Sequence, residues 1–216
     1  MLADQSTLAN WLLPIIEANQ QPYKNGELTL DNPDYWLLYT MEAMAISPEK
    51  LDAGLVCFYL FNIVHLKEGE GIFQDAGIPH AYLRGQNVEL MACSDNVIRG
   101  GLTPKYVDIV ELLKIVDCRE VTPQIISAAP QNQSEFTYKT PVNDFALAQI
   151  RVEPEQHTKV NLQSAGILLV MQGELKIQEK SAALTLKQGE SAFITADSNV
   201  EIMSEKGGYA FLAKLP

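Results

Sequence analysis

One segment of the sequence, residues 77–105, concentrates side chains whose types suit chemistry on an anionic substrate. It holds an imidazole, a phenol, two carboxylates and three cations: His80, Tyr82, Glu89, Asp95, Arg84, Arg99 and Lys105. Arg99 can offer a planar fork of donors to a phosphate or an oxyanion, and Lys105 offers a point charge. His80 and Tyr82 are two residues apart, which puts them on one side of a strand. The alternative interpretation is a solvated loop with an Asp95–Arg99 ion pair.

Two stretches of the chain can be laid on the spacing G-x5-P-x-G-x-x-H, which resembles the second motif of cupins, small jelly-roll barrels that often hold a metal. Neither stretch has the proline, which is replaced by Asp75 and by Thr195, and the second stretch has Asp197 in place of the second glycine. The first stretch begins at Gly69 and ends on His80, and the second begins at Gly189 and ends on Val200. In this pattern the first glycine makes a hairpin turn, and the last position points into the barrel. An imidazole can bind a metal there, whereas valine cannot. The spacing therefore predicts two related barrel halves, of which one carries a metal ligand.

The elements that must position these residues differ between the two ends of the chain. Apolar residues at helical spacing predict helices over 6–18, capped by Ser6 or Thr7 and broken or kinked at Pro14, and over 32–46 and 105–116. The apolar run 55–66 predicts one or two buried strands, and shorter strands are predicted at 71–74, 80–84 and 88–92. Small polar residues at 127–134 predict a linker. Seven strand-like runs follow, at 145–152, 167–172, 174–178, 183–186, 191–194, 201–203 and 209–214. His157 opens a further strand-like stretch, HTKVNL.

Composition excludes several classes of protein. The 216 residues carry a formal net charge of −11, with no run of Lys or Arg, so a nucleic-acid partner is not expected. The apolar N-terminal run is too short to span a membrane and has no basic flank, so no membrane association and a cytoplasmic location are predicted. The cysteines, Cys57, Cys93 and Cys118, are odd in number and lack CxxC spacing, so neither a disulfide framework nor a cysteine-based zinc site is expected.

The string PHAYLRG…VELMACSDNVIRGGLTPKYVD strongly resembles the signature of type I mannose-6-phosphate isomerases. The flanking strings FNIVHLKEGEGIFQDAG, VELLKIVD and LKQGESAFI also resemble the family, so the likeness covers most of the chain. It implies a mainly β fold: cupin-type jelly-roll barrels, one partial and one C-terminal, with a short N-terminal helical segment. The expected domains are a helical segment at 1–47, a partial catalytic cupin at 48–126 and a degenerate C-terminal cupin at 135–216.

The resemblance also implies a function. The family interconverts mannose 6-phosphate and fructose 6-phosphate with zinc, through a cis-enediol. Carried onto this sequence, His80 is one zinc ligand, Tyr82 and Lys105 bind substrate, and Arg99 stabilises the enediolate or contacts substrate. Asp95 orients Arg99 or takes part in proton transfer, and the base is not assigned. The other two histidines, His65 and His157, are interpreted as surface residues.

Part of the family's pattern is absent from these residues. The family's zinc site uses four ligands, including a Gln and a His of a Q-x-H-P-D stretch, and only His80 has a counterpart here. The sequence therefore looks like the C-terminal portion of a longer enzyme: a fragment, a split gene product or a degenerate paralogue. We expect it to require a missing N-terminal half or to self-associate through 55–66. The alternatives are a non-catalytic cupin module that binds a sugar phosphate or a protein partner, and a plain structural barrel.

Overall fold

The polypeptide folds into two units, each built from segments that are not contiguous in the sequence. The computed structural model describes residues 4–94 and 97–216. The first unit takes the described residues of Met1–His65, Gln74–Gln86 and Ser94–Pro123, and the second takes Leu66–Phe73, Asn87–Cys93 and Gln124–Pro216. The predicted division at 1–47, 48–126 and 135–216 stays a prediction.

The first unit contains the helices. They are α1 (Gln5–Lys24), α2 (Pro33–Ala43), a 3-10 turn (Ala53–Val56), α3 (Cys57–Leu60) and α4 (Ile109–Ile115). The predicted start of α2 is confirmed, because Asn32 caps it by accepting from the Asp34 N–H at 2.8 Å and Pro33 occupies the first turn. The predicted cap of α1 is wrong. Asp4 caps that helix by accepting from the Thr7 N–H, and this hydrogen bond holds the pKa of Asp4 below its ordinary value.

Helix α1 continues through Pro14, where a break or kink was predicted, and ends only at Lys24. Pro14 lacks an N–H, so the carbonyl of Asn10 loses its helical partner. Both Asn10 and Pro14 are exposed, so water can satisfy that carbonyl. The opposite side of the helix is buried, and its packing outweighs the lost hydrogen bond. None of the helices among the described residues has the length and apolarity needed to cross a membrane.

The core of the first unit joins α1 to α2. Leu8, Leu12 and Ile16 form one buried stripe, spaced by four residues, and pack with buried residues of α2, among them Leu37. Trp11 was predicted to share this face, but more than half of its surface is exposed. Each fully buried Leu or Ile stabilises the fold by about 1.5–3 kcal/mol relative to an exposed one.

The segment 55–66 does not form the strands that its apolar run predicted. Its first half is the 3-10 turn and α3, and Leu60, at the end of α3, is 73% exposed. The described residues 80–84 and 88–92 also lie outside regular strands. The helix predicted over 105–116 forms only as α4, because Asp108 caps it by accepting from the Glu111 N–H at 3.0 Å.

The second unit is a β-sandwich, so the predicted mainly β fold is confirmed. Its strands are β1 (Glu70–Ile72), β2 (Ile125–Ser127), β3 (Ala129–Pro130), β4 (Glu135–Tyr138), β5 (Ala146–Val152), β6 (His157–Leu162), β7 (Gly166–Gln172), β8 (Glu174–Glu179), β9 (Ala182–Lys187), β10 (Ser191–Ile194), β11 (Ser198–Met203) and β12 (Gly208–Lys214). One sheet has the order β10-β7-β12-β5-β4-β3, another has the order β6-β11-β8-β9, and β1 pairs with β2. All neighbouring strands are antiparallel.

Both large sheets direct alternate residues into one shared core. In β6 the burial alternates strictly, so Val160 and Leu162 point inward from the smaller sheet. Ile150 and Leu168 enter the same core from the larger sheet. The strands from β5 onward therefore lie within a few residues of the strand-like stretches predicted from the sequence. The linker predicted at 127–134 is wrong, because β3 lies within it and pairs with β4.

Candidate functional site

A turn at Asp75–Ile78 leads the chain into His80. The Ile78 N–H donates to the Asp75 carbonyl at 3.3 Å, and Gly77 adopts φ +80°, which favours glycine. A Cβ on Gly77 would lie 2.7 Å from the Ile115 carbonyl oxygen, so the turn fits closely against the end of α4. The Asp117 N–H donates to the Gly77 carbonyl at 2.8 Å and joins the turn to the chain that follows that helix.

An arginine fastens the same turn from the other side. One Arg119 Nη lies 2.9 Å from a carboxylate oxygen of Asp75, and the Arg119 Nε lies 3.4 Å from Asp117. We call Arg119 with these two carboxylates the Arg119 clamp. The clamp could not be predicted because Arg119 and Asp75 are 44 residues apart, and the spacing that contains Asp75 gives no information on its partner.

The imidazole of His80 is exposed and its orientation is set by a hydrogen bond. Its Nδ1 lies 3.0 Å from the Ile78 carbonyl oxygen. A carbonyl only accepts, so in this contact Nδ1 carries the hydrogen and the lone pair of neutral His80 is on Nε2. A backbone carbonyl that fixes a histidine tautomer in this way is a usual second contact of metal-binding histidines.

Tyr82 lies beside His80, as the two-residue spacing predicted. The ring centroids are 5.9 Å apart at an interplanar angle of 67°, and Tyr82 is 61% exposed. An edge-to-face contact of this kind is favourable for aromatic rings. The pair meets although the segment is not a regular strand, so the predicted proximity is correct and the predicted secondary structure is wrong.

The two cations of the predicted site point into solvent. Arg99 and Lys105 are both exposed, and within the part of the chain that the structure describes neither side chain forms an ion pair or a hydrogen bond. Among the described residues, therefore, no carboxylate competes with an anion for either group. Asp95 lies outside the described residues, so its predicted pairing with Arg99 stays a prediction. The roles assigned to all five residues likewise stay predictions.

Arg84 and the other two histidines of the sequence each have a polar partner. Arg84 donates to the Tyr35 hydroxyl at 3.4 Å. His65 lies 3.0 Å from Asp31, and His157, in the second unit, lies 3.3 Å from Glu201. Both of these histidines are exposed, in agreement with their interpretation as surface residues.

The two copies of the glycine spacing begin with the same hairpin turn. In the first copy the Glu70 N–H donates to the Lys67 carbonyl at 3.0 Å, and the Glu70 carboxylate accepts from the Lys67 N–H at 2.8 Å. In the second copy Glu190 and Lys187 form the same two hydrogen bonds, at 2.9 and 2.8 Å. We call these the paired turns. Gly69 and Gly189 adopt φ +82° and +84° within them.

The copies differ at their last position. Val200 lies in β11 and is 5% exposed within the sandwich core, whereas His80 is exposed in an irregular segment. The prediction that the last position points into a barrel is therefore confirmed for Val200 and wrong for His80.

The donor set does not complete a zinc site. A structural or catalytic zinc site needs three or four protein ligands. Among residues 4–94 and 97–216 there is no group of three or more His, Cys, Asp and Glu side chains that could hold a metal ion. His80 is one suitable donor, because its Nε2 lone pair is not used in the contact with the Ile78 carbonyl.

Known proteins resemble this chain in sequence. The family model of the mannose-6-phosphate isomerase cupin domain matches residues 134–206. Mannose-6-phosphate isomerase of Salmonella typhimurium is 42% identical over 149 residues, which are 68% of this chain and 38% of that protein. The human mannose-6-phosphate isomerase is 34% identical over 159 residues, 70% of this chain and 38% of that protein. The chain thus matches about two fifths of the length of these relatives.

Solved structures extend the match to nearly the whole chain. The apo form of mannose 6-phosphate isomerase from Salmonella typhimurium superposes with a TM-score of 0.71 at 30% identity, over 99% of this chain and 56% of that one. The match therefore includes the helical residues as well as the cupin domain. By sequence and by fold, the chain belongs to the type I mannose-6-phosphate isomerase family, of whose solved member it spans just over half.

Proposed function

We propose that this chain forms part of a mannose-6-phosphate isomerase, which interconverts mannose 6-phosphate and fructose 6-phosphate, and that it acts in the cytoplasm. The observation that carries this proposal is the likeness of almost the whole chain, in sequence and in fold, to enzymes of that name. The exposed cations Arg99 and Lys105 are the second line of support, because the substrate is a phosphate ester that becomes more anionic as it reacts.

The isomerisation reaction indicates a role for each side chain of the proposed site. Isomerisation moves a proton between C1 and C2 of the open-chain sugar. Negative charge develops on a sugar oxygen when a base removes the carbon-bound proton and the enediolate form of the cis-enediol arises. A guanidinium placed at that oxygen stabilises that charge, which is the role proposed for Arg99. Lys105 is proposed to hold the phosphate, and Tyr82 to line the sugar. Asp95 is proposed to orient Arg99 or to take part in proton transfer.

Zinc dependence is proposed for the complete enzyme and not for this chain alone. His80 is the one zinc ligand that the described residues supply, so the remaining ligands must come from another polypeptide segment. We propose that they come from a segment equivalent to the part of the relatives that this chain does not match, or that a second copy of this chain associates through 55–66. Leu60, Phe61 and Val64 are exposed and apolar, which supports the proposal that chains associate through 55–66.

A non-catalytic cupin module that binds a sugar phosphate or a protein partner is the second candidate. The incomplete metal-ligand set among the described residues favours it, because a module that only binds does not need the full set.

Metal analysis and a coupled isomerase assay separate these candidates. The chain is assayed alone, with added zinc, and together with the N-terminal portion of the Salmonella typhimurium relative. Turnover in any of these mixtures supports the isomerase. Binding of mannose 6-phosphate without turnover in all three supports the binding module. The oligomeric state, measured by light scattering, tests association through 55–66, and a monomer at every concentration would contradict self-association.

Arg99→Ala tests the proposed role of the guanidinium. In whichever mixture turns over, this change should lower kcat by about 10²–10³, as the loss of one charge-stabilising donor does in other enzymes. Arg151→Ala is a matched control, because Arg151 lies in the second unit and donates to Gln149 at 3.0 Å. Equal activity in the two variants would remove Arg99 from the mechanism.

A further inference from the structure

We infer that Arg119 is a positioning residue for His80, which it controls through the Asp75–Ile78 turn. No sequence pattern and no similarity to a known protein points to this role. The inference comes from three consecutive contacts within the first unit, each of them short enough to constrain the next group.

The first contact fixes the side chain of Asp75. The Arg119 fork binds the Asp75 carboxylate at 2.9 Å and the Asp117 carboxylate at 3.4 Å, so Arg119 bridges two segments of the chain. The Arg119 N–H also donates to Asp117 at 3.0 Å, which holds the base of the arginine in place. A lysine has one ammonium group and cannot reproduce this planar two-sided contact.

The second and third contacts transmit this position to the imidazole. The Asp75 carbonyl accepts from the Ile78 N–H at 3.3 Å, and the Ile78 carbonyl accepts from His80 Nδ1 at 3.0 Å. The turn has little freedom to shift, because Gly77 packs against the Ile115 carbonyl and accepts from the Asp117 N–H. Anchoring of Asp75 therefore determines where the Ile78 carbonyl points, and that carbonyl determines the tautomer of His80.

The exposure of the clamp indicates a local role. The side chains of Arg119, Asp75 and Asp117 are 57%, 60% and 39% exposed. Ion pairs this exposed add little to global stability. Arg119 therefore contributes little to global stability but fixes the Asp75–Ile78 turn. Its main effect is on the group that this turn positions, which is His80.

This inference rests on the proposed function only for the use made of His80. With Nδ1 protonated, Nε2 presents its lone pair to solvent, as a metal ligand must. The tautomer itself can be measured on this chain without metal, substrate or turnover. Failure of the isomerase proposal would therefore leave the clamp intact, and failure of the clamp would leave the isomerase proposal intact.

The test is the nitrogen chemical shifts of the histidine rings, measured by long-range ¹H–¹⁵N NMR at a pH where the imidazoles are neutral. In the unaltered chain we expect His80 to be predominantly protonated on Nδ1. In Arg119→Ala we expect the ratio of the Nδ1-protonated to the Nε2-protonated form to fall about fivefold, which corresponds to about 1 kcal/mol, one ordinary hydrogen bond. His65 and His157 are internal references, and their shifts should not change.

Three further variants separate positioning from loss of structure. Asp75→Asn should reproduce the change at His80, and Arg119→Lys should restore the ratio only in part. Lys114→Ala removes an ion pair of the same exposed kind, with Glu111 on α4, and should leave His80 unchanged. None of these changes should move the melting temperature by more than about 4 °C.

The inference is overturned if His80 keeps its tautomer ratio in both Arg119→Ala and Asp75→Asn while the fold is retained. It is also overturned if Lys114→Ala changes the ratio as much as Arg119→Ala does. If Arg119→Ala fails to fold, Asp75→Asn decides the outcome, because asparagine keeps the size of the side chain and removes its charge.

Discussion

Replacement of Gly77 by alanine tests whether the close fit of the Asp75–Ile78 turn against α4 stabilises the first unit. Two separate costs are expected. The φ of +80° is strained for a residue with a Cβ, at about 1–2 kcal/mol. The new Cβ would lie 2.7 Å from the Ile115 carbonyl oxygen, which is backbone and cannot rotate away. Overpacking of this kind adds about 1–3 kcal/mol.

Gly26→Ala is the matched control in the same unit. Gly26 has φ +72° after the C-terminal cap of α1, and a Cβ there would meet no atom within 4 Å. This change therefore carries the backbone cost of about 1–2 kcal/mol alone. The difference between the two variants, about 1–3 kcal/mol, measures the contact between Gly77 and Ile115.

Urea unfolding followed by tryptophan fluorescence is a suitable assay. The sequence has two tryptophans, Trp11 and Trp36, and both lie in the first unit, so the signal reports the unit in which Gly77 lies. Gly77→Ala should lower the urea midpoint clearly more than Gly26→Ala does. If the two free energies of unfolding agree within about 0.5 kcal/mol, the turn is free to move away from α4 and the reasoning is refuted.

Three further predictions concern pH, reactivity and capping. Burial and the hydrogen bond to Glu42 raise the pKa of Tyr23 to about 12, above the ordinary value of about 10. The raised pKa stabilises the folded state fully below about pH 10, and this stabilisation is lost as the pH rises towards 12. The urea midpoint should therefore fall less between pH 10 and 12 in Tyr23→Phe than in the unaltered chain. Burial raises the pKa of the Cys57 thiol, so iodoacetamide should label the exposed Cys93 faster than Cys57, as followed by mass spectrometry. Asn32→Ala removes the cap of α2 and should lower the free energy of unfolding by about 1 kcal/mol, measured by urea titration, and an unchanged value would show that water replaces the cap.

The sandwich could be predicted from the sequence because its strands have a simple period. Strand β6 alternates buried and exposed residues, and Gly173 separates β7 from β8 with a φ of +82° that suits a turn. Such signals are local, so one sequence is sufficient to find them. The cap at Asn32 and the paired turns at Gly69 and Gly189 were predictable for the same reason.

The failures lie where tertiary packing decides the local structure. The run 55–66 is apolar without a clear period, and its first half folds as a 3-10 turn and a short helix because Leu55 and Phe58 enter the core of α1 and α2. Pro14 was overridden in the same way by the buried stripe beside it. The Arg119 clamp joins residues distant in sequence, and composition carries no information on such pairs.

The candidate site was predictable only in part. The proximity of His80 and Tyr82 follows from their spacing, whereas the orientation of the imidazole by the Ile78 carbonyl could not be read from residue types. The roles of Arg99 and Lys105 stay predictions. A hydrogen bond to a backbone group leaves no trace in the identity of the side chain that accepts or donates it.

The paired turns separate what folding requires from what catalysis requires. The turn from Lys187 to Glu190 has the same hydrogen bonds as the turn from Lys67 to Glu70, although the second copy ends in Val200 and has no metal ligand there. The turn is therefore needed to reverse the chain between two strands, whether or not a metal ligand follows it. The two copies share the first glycine and this hairpin, and they differ at the second glycine, where the second copy has Asp197, and at the last position. Engineering a second centre by Val200→His would place an imidazole in a hydrophobic core, which makes the second copy a scaffold and not a dormant site.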